Sequence, residues 1–373
     1  MKHIGKSYDK VDAKGILSGK PSYTGDFVPK DALIIKVLRS PHAQAKIKSI
    51  DTSKAKLIPG VEAIFTYEDV PNTRFTLAGQ TYPEPSAYDA LILDSVVRYV
   101  GDEVALVVAK DEATALKAMP LIKVEYEVQK PVLDLRTAMD HETVVHPEDD
   151  ILNHIPVGQD YKRNICVSYH KRVGDIEGEL AKCDYVVEGT YFDQATRQSA
   201  MEPFQSFGYI DHLGRIVIVS STQIVFHVRR HIARALGIPA SKIRVIKPRI
   251  GGGFGSKQTA CTELMTAFVT WKLQKPCYLL YDRTEAQTCS TTRHAREWYI
   301  RVGATKDGII QVIDMDSITD AGAHATHCFT TTTAGEHKSV PLYNKAKAVH
   351  YGTEGVYMNH TPGGAFRGYG ATE

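Results

Sequence analysis

The stretch RIGGGFGSKQ, residues 249–258, sets three consecutive glycines, an aromatic and a fourth glycine directly before Ser256, Lys257 and Gln258. Fixing a glycine costs more backbone entropy than fixing any other residue, so a run of it needs a reason. Either the turn requires positive φ, or something approaches the main chain where a Cβ would stand. The flanks locate the run: residues 242–250 (KIRVIKPRI) read as a β-branched strand and residues 259–274 (TACTELMTAFVTWKLQ) as a helix. Backbone amides at such a junction can hold an oxyanion or a phosphate. Neither common nucleotide motif fits. A P-loop needs Ser or Thr where Gln258 stands, and the dinucleotide fingerprint fails at its last glycine. A glycine-rich turn that binds nothing remains the plain alternative. The end of the chain, PGGAFRGYGATE, repeats the device by setting Gly pairs around an aromatic and a cation.

Two regions separate along the rest of the chain. Residues 33–39 (LIIKVLR), 46–50 (KIKSI) and 61–65 (VEAIF) predict short strands, with turns at 40–44 and 59–60. Residues 96–109 predict a strand pair, 111–119 an acid-capped helix ended by Pro120, and 121–127 an alternating strand. Residues 1–135 therefore form a compact α+β unit, and the polar residues 136–162 an extended connector. A second domain spans 163–373. In it, 185–192, 205–210 and 215–223 predict strands, and 224–237 a helix with Val225, Val228, Ile232 and Leu236 on one stripe and Gly237 closing it. The fold class is α+β.

Composition narrows the function classes. A net charge of +2 with no basic stripe argues against a protein that lives on phosphate contacts to nucleic acid. No apolar run approaches the roughly 18 residues that span a bilayer, and the N-terminus lacks a signal-peptide core, so the expected location is cytoplasmic. The six cysteines match no iron–sulfur or zinc spacing and read as reduced thiols. His324 and His327 in DAGAHATHC, with Cys328 and the later His337, suggest a metal at first sight. Their Gly- and Thr-rich setting predicts a loop without zinc-ligand geometry, and no zinc is expected there.

Taken together, IGGGFGSKQ, SSTQ (220–223) and GGAFRGYG (363–370) resemble signatures of the molybdenum hydroxylases, the xanthine dehydrogenase and aldehyde oxidase family. VDAKGILSGKPSYTGDF, LRSPHAQAKIKSIDTSKA, PGVEAIFTYEDVP and YVGDEVALVVAKDEATALKA resemble its hammerhead domain, and MEPFQSFGYI (201–210) the strand that opens its molybdopterin-binding part. The resemblance covers nearly the whole chain in the family's order. It implies a hammerhead domain followed by the first half of a molybdopterin site.

Its residue-level implications are specific. Gln223 matches the glutamine that donates to an oxygen ligand of molybdenum, and Gly252, Gly253, Phe254 and Gly255 match the loop that approaches metal and pterin. Gln258 stands where purine-oxidising members place a substrate-binding glutamate, a departure that puts xanthine itself in doubt. Arg367 matches the arginine that anchors substrate; its plain alternative is a surface arginine. No side chain is expected to ligate the metal directly. The implied cofactor is molybdenum–molybdopterin, with a dinucleotide form open. Iron–sulfur (2Fe-2S) and FAD groups are expected on partner chains only.

The implied reaction is hydroxylation of an N-heterocycle (purine- or nicotinate-like) or an aldehyde with oxygen from water. The family takes its base from a glutamate in a later G-x-G-E motif, absent from these 373 residues. The expectation is therefore a split subunit or a truncated chain, inactive without the partner or segment that carries the base. Two alternatives stand beside it. One is a non-catalytic scaffold with the same fold. The other is a carbon monoxide dehydrogenase-like large subunit, which would carry a cysteine on the loop; here Cys261 falls three residues beyond Gln258.

Overall fold

The structure is a computed structural model that describes residues 2–20 and 22–372. Its largest sheet has seven strands and crosses the boundary between the two regions. In spatial order these are Ile243–Ile246, Ile216–Ser220, Gln205–Ile210, Cys277–Leu280, Leu33–Arg39, Glu103–Ala109 and Val61–Phe65. Leu33–Arg39 lies parallel to Cys277–Leu280, with Ile35 opposite Leu279, so hydrogen bonds between strands stitch the N-terminal unit to the rest. The core follows the sheet: Ile35, Leu106, Ile218, Val228, Ile232 and Phe268 are buried in one cluster.

A three-stranded sheet, Val96–Val97, Ala45–Asp51 and Lys123–Val128, completes the N-terminal unit. Its helix Glu112–Ala118 starts as expected, with the Asp111 carboxylate accepting from Thr114 N at 2.7 Å. The connector forms short 3-10 turns at Leu135–Thr137 and Tyr161–Arg163 and is pinned by Asn164. The Asn164 Oδ1 accepts from Val145 N (2.9 Å), and its Nδ2 donates to the carbonyls of Ala138 (3.1 Å) and Thr143 (2.8 Å).

Three expected boundaries move. The strand predicted over 242–250 ends at Ile246, because Pro248 has no N–H to give and Arg249 N donates to Ser22 O instead. The strand predicted to reach 223 ends at Ser220, and the helix predicted from 259 begins at Glu263, after an extended Thr259. Of a five-stranded sheet the sequence predicts only one edge strand, 185–192, which forms as Tyr185–Asp193. Its other members are Arg296–Ala304, Ile310–Gly322, Ala348–Tyr357 and Ile165–Val173. These strands mix charged and apolar residues without clean alternation, and long-range pairing decides them. DAGAHATHC holds a turn, as expected, but the threonine-rich Cys328–Ser339 that follows is a helix. Among the described residues no helix is long and apolar enough to cross a membrane.

Candidate active site

The strand Ile216–Ser220 delivers Gln223 to the foot of the helix Val225–Leu236, whose buried stripe includes Val228, Ile232 and Leu236 and which Gly237 ends at φ +65°. Gln223 N donates to Lys257 O (2.8 Å), and its Oε1 accepts from Gly255 N (3.2 Å). The residue is exposed, and its Nε2 donates to nothing among the described residues.

The glycine loop needs its glycines for two reasons. Gly252 and Gly255 adopt φ of +101° and +103°, which side chains resist. A Cβ on Gly253 would stand 2.6 Å from Gln223 Oε1, and one on Gly255 2.5 Å from Ala365 O. The amides of Gly252, Gly253 and Phe254 have no acceptor among the described residues. Three successive unclaimed N–H groups beside an exposed glutamine suit an anionic or carbonyl-rich ligand such as a molybdopterin.

The end of the chain closes the third side. Arg367 N donates to Phe254 O (2.9 Å), Arg293 lies 4.2 Å over the Phe366 ring, and Gln198 Nε2 donates to Ala365 O (2.8 Å). The Arg367 guanidinium is exposed and pairs with no described residue. Gln223, Gly252–Gly255 and Arg367, separated by up to 144 positions of sequence, thus meet at one place through direct backbone and side-chain contacts.

Sequence reasoning missed what holds this loop. Lys257 and Glu202 form a buried ion pair, Nζ to Oε2 at 2.8 Å. Glu202 Oε2 also accepts from Gly251 N (2.7 Å), and its Oε1 accepts from Gln205 Nε2 (2.7 Å), whose own Oε1 accepts from Tyr278 OH (2.6 Å). Three donors thus meet on the carboxylate, and Tyr278 backs one of them. Burial pulls the Lys257 ammonium's pKa down while Glu202 pushes it back up. The Glu in MEPF and the Lys after the glycines were the only sequence signals, and neither marks a pair on its own.

A second missed contact comes from the N-terminal unit. Gln80 Nε2 donates to Gln258 Oε1 at 2.7 Å, and Gly79 N donates to His327 Nε2 at 3.0 Å. Burial, with His227 and His231 nearby, pushes His327 down to about 3, so it is the neutral acceptor this bond needs. His324 turns instead to Asp89 (3.3 Å), and His337 is exposed beside Glu336.

Elsewhere, Glu84, His227 and His231 bring ligand atoms close together, but Arg230 Nη2 already sits 2.7 Å from His227 Nδ1 and 3.1 Å from Glu84 Oε1. Its fixed positive charge supplies the cation there. A cavity of about 80 Å³ lined by Tyr99, Asp102, Cys261 and His324 has room for a few waters and none for a pterin. The six cysteines are free thiols, and burial raises Cys261 well above the usual range.

Comparison with known proteins agrees with this geometry: a hammerhead unit is joined to a cofactor-binding domain. A model of the aldehyde oxidase and xanthine dehydrogenase a/b hammerhead domain matches residues 18–130, and a model of the molybdopterin cofactor-binding domain matches residues 157–373. The chain belongs to the xanthine dehydrogenase and aldehyde oxidase family of molybdenum hydroxylases.

Among its relatives is a probable hypoxanthine oxidase, XdhD, of Escherichia coli K12, 38% identical over 99% of this chain and 41% of that protein. The nicotinate dehydrogenase large molybdopterin subunit of Eubacterium barkeri is 31% identical over 99% of this chain and 82% of the subunit. The aldehyde oxidoreductase of Desulfovibrio gigas superposes with a TM-score of 0.87 at 26% identity, over 98% of this chain and 40% of that one. The chain thus spans less than half the length of the first and third of these proteins.

Proposed function

We propose that this chain forms the part of a molybdenum hydroxylase that cradles the molybdopterin cofactor and orients an N-heterocyclic substrate bearing a carbonyl or carboxylate. The observation that carries the reading is the meeting of Gln223, the unclaimed amides of Gly252–Phe254 and the free guanidinium of Arg367 at one place.

Gln223 Nε2 and the three amides would hold the cofactor. Bound there, it supplies the two-electron chemistry that places a water-derived oxygen on an electron-poor carbon. Arg367 would bind the substrate's oxygen in a paired hydrogen bond and stabilise negative charge that builds during attack. Gln258 would contact the substrate's other side as a neutral group, which leaves Arg367 the dominant charge. Heterocycles such as nicotinate or a purine fit this balance better than an uncharged aliphatic aldehyde. The name of the Eubacterium barkeri relative supports the nicotinate reading, and that of the E. coli relative the purine one.

The base, 2Fe-2S and FAD groups would come from a second molybdopterin-binding half and from electron-transfer partners. A carbon monoxide dehydrogenase-like role would need a cysteine on the loop, and the loop reads Gly-Phe-Gly-Ser. The test is a turnover screen of the purified complex against purines, nicotinate and simple aldehydes, with molybdenum quantified. Turnover of aldehydes alone would sink the substrate assignment.

A further inference from the structure

The contact between Gln80 and Gln258 joins the N-terminal unit to the residue read above as substrate-facing. An amide side chain offers one oxygen acceptor and two N–H donors. In this pair Gln80 Nε2 gives its hydrogen to Gln258 Oε1. That bond uses one of the oxygen's two acceptor positions and draws the oxygen toward Gln80, which leaves the N–H groups turned away from Gln80, toward a ligand.

The pair is held from both ends. Gln258 N donates to Gly255 O (2.9 Å), inside the 3-10 turn Ser256–Gln258. On the other side Gly79 N is tied to His327 Nε2 (3.0 Å), and a Cβ on Gly79 would stand 2.4 Å from Gln258 O and 2.7 Å from Ile224 Cδ1. Gly79 has no positive φ, so its glycine answers to space alone: it lets this segment lie directly on the cofactor loop. With both backbones held, the side-chain torsions of the two glutamines decide which amide atoms meet.

We propose that Gln80 is a specificity-determining positioning residue: by occupying the Gln258 oxygen, it turns the Gln258 N–H groups toward the substrate. Arg367 also offers only donors. Both recognising groups then demand acceptors, so the site selects a heterocycle that turns a carboxylate, carbonyl or bare ring nitrogen to each of them and discriminates against one that turns a ring N–H toward Gln258. This inference rests on the reading of Gln258 as substrate-facing.

Gln80→Glu tests it. A carboxylate at 80 accepts only, so Gln258 must rotate to donate to it and show its oxygen to the ligand. In the complete, cofactor-loaded complex, nicotinate binding by equilibrium dialysis should weaken by about tenfold while hypoxanthine, with its ring N–H, loses less or gains. Steady-state kinetics should show the change in KM with kcat little moved. Gln80→Leu, which frees the Gln258 amide without reversing it, should give an intermediate ratio of the two ligands. Unfolding midpoints separate these effects from loss of fold.

Gln258→Glu distinguishes the two levels of the argument. If it leaves the nicotinate-to-hypoxanthine ratio unchanged, the substrate-facing reading fails and the proposal fails with it. If it shifts the ratio while Gln80→Glu leaves it at the wild-type value, the proposal alone is overturned.

Discussion

Glu202→Gln is the sharpest perturbation of the loop's support. The wild-type carboxylate accepts from Lys257 Nζ (2.8 Å), Gly251 N (2.7 Å) and Gln205 Nε2 (2.7 Å), and the Lys257 ammonium has no other acceptor among the described residues. The Lys257 side chain is 1% exposed and that of Glu202 9%, so the pair is shielded from water. Breaking a buried pair by neutralising one partner costs about 3–5 kcal/mol, because the other charge stays buried and uncompensated.

The amide adds a second fault. Its Nε2 would face either Gln205 Nε2 or the Lys257–Gly251 side, where only donors stand. Gln205 relieves this only by flipping, which also turns Tyr278 OH, now a donor to Gln205 Oε1 (2.6 Å), into an acceptor. Lys257→Met should cost less, because Glu202 keeps two donors. The double variant should recover part of the loss, giving a coupling energy of roughly 1–3 kcal/mol. Urea unfolding of the four proteins measures the cycle. A Glu202→Gln variant within about 1 kcal/mol of wild type, or strictly additive single variants, would refute the reasoning.

Other expectations follow from the same geometry. Gly255→Ala combines a φ of +103° with a 2.5 Å approach to Ala365 O and should cost about 2 kcal/mol or more, with loss of cofactor content read by metal analysis. Gln223→Ala loses the bond from Gly255 N and should cost about 1 kcal/mol of stability, while it lowers turnover roughly ten- to hundredfold in metal-replete protein. Arg367→Met should raise KM for nicotinate far more than for a neutral aldehyde; equal losses would make Arg367 a support of the loop.

His327 is held at about 3 in the folded chain against 6.5 for the free side chain, so the unfolded state binds the extra proton between those values. Stability from this group is complete above pH 6.5 and is lost as pH falls toward 3. His327→Gln should therefore lose about 2 kcal/mol less than wild type between pH 7 and 5 in urea titrations.

The parts legible in the sequence were those that local chemistry dictates. Gly237 announced a left-handed helix end, and Asp111 announced a cap. The glycine run announced a turn with no room for side chains, and the quoted motifs announced segments that the structure brings into contact. The parts that were not legible depend on distant partners. Arg296–Ala304 and Ile310–Gly322 become strands because each finds a neighbour along its length, which no window of REWYIRVGA reveals. Thr259 looks helical beside Ala260 and Cys261, yet the turn Ser256–Gln258 leaves it extended. Glu202 and Lys257 lie 55 positions apart, and Gln80 and Gln258 lie 178 apart, so neither pair leaves a local pattern.

The central claim, that these loops form a molybdopterin cradle, is tested most directly by molybdenum and pterin content. Wild-type complex and a Gly253→Val variant with unchanged circular dichroism should be purified side by side and assayed by metal mass spectrometry and pterin fluorescence. The side chain at 253 would displace Gln223, whose Oε1 lies 2.6 Å from the new Cβ. The account predicts equimolar molybdenum and pterin in the wild type and their loss in the variant. Equal content in both, or none in the wild type, would contradict it.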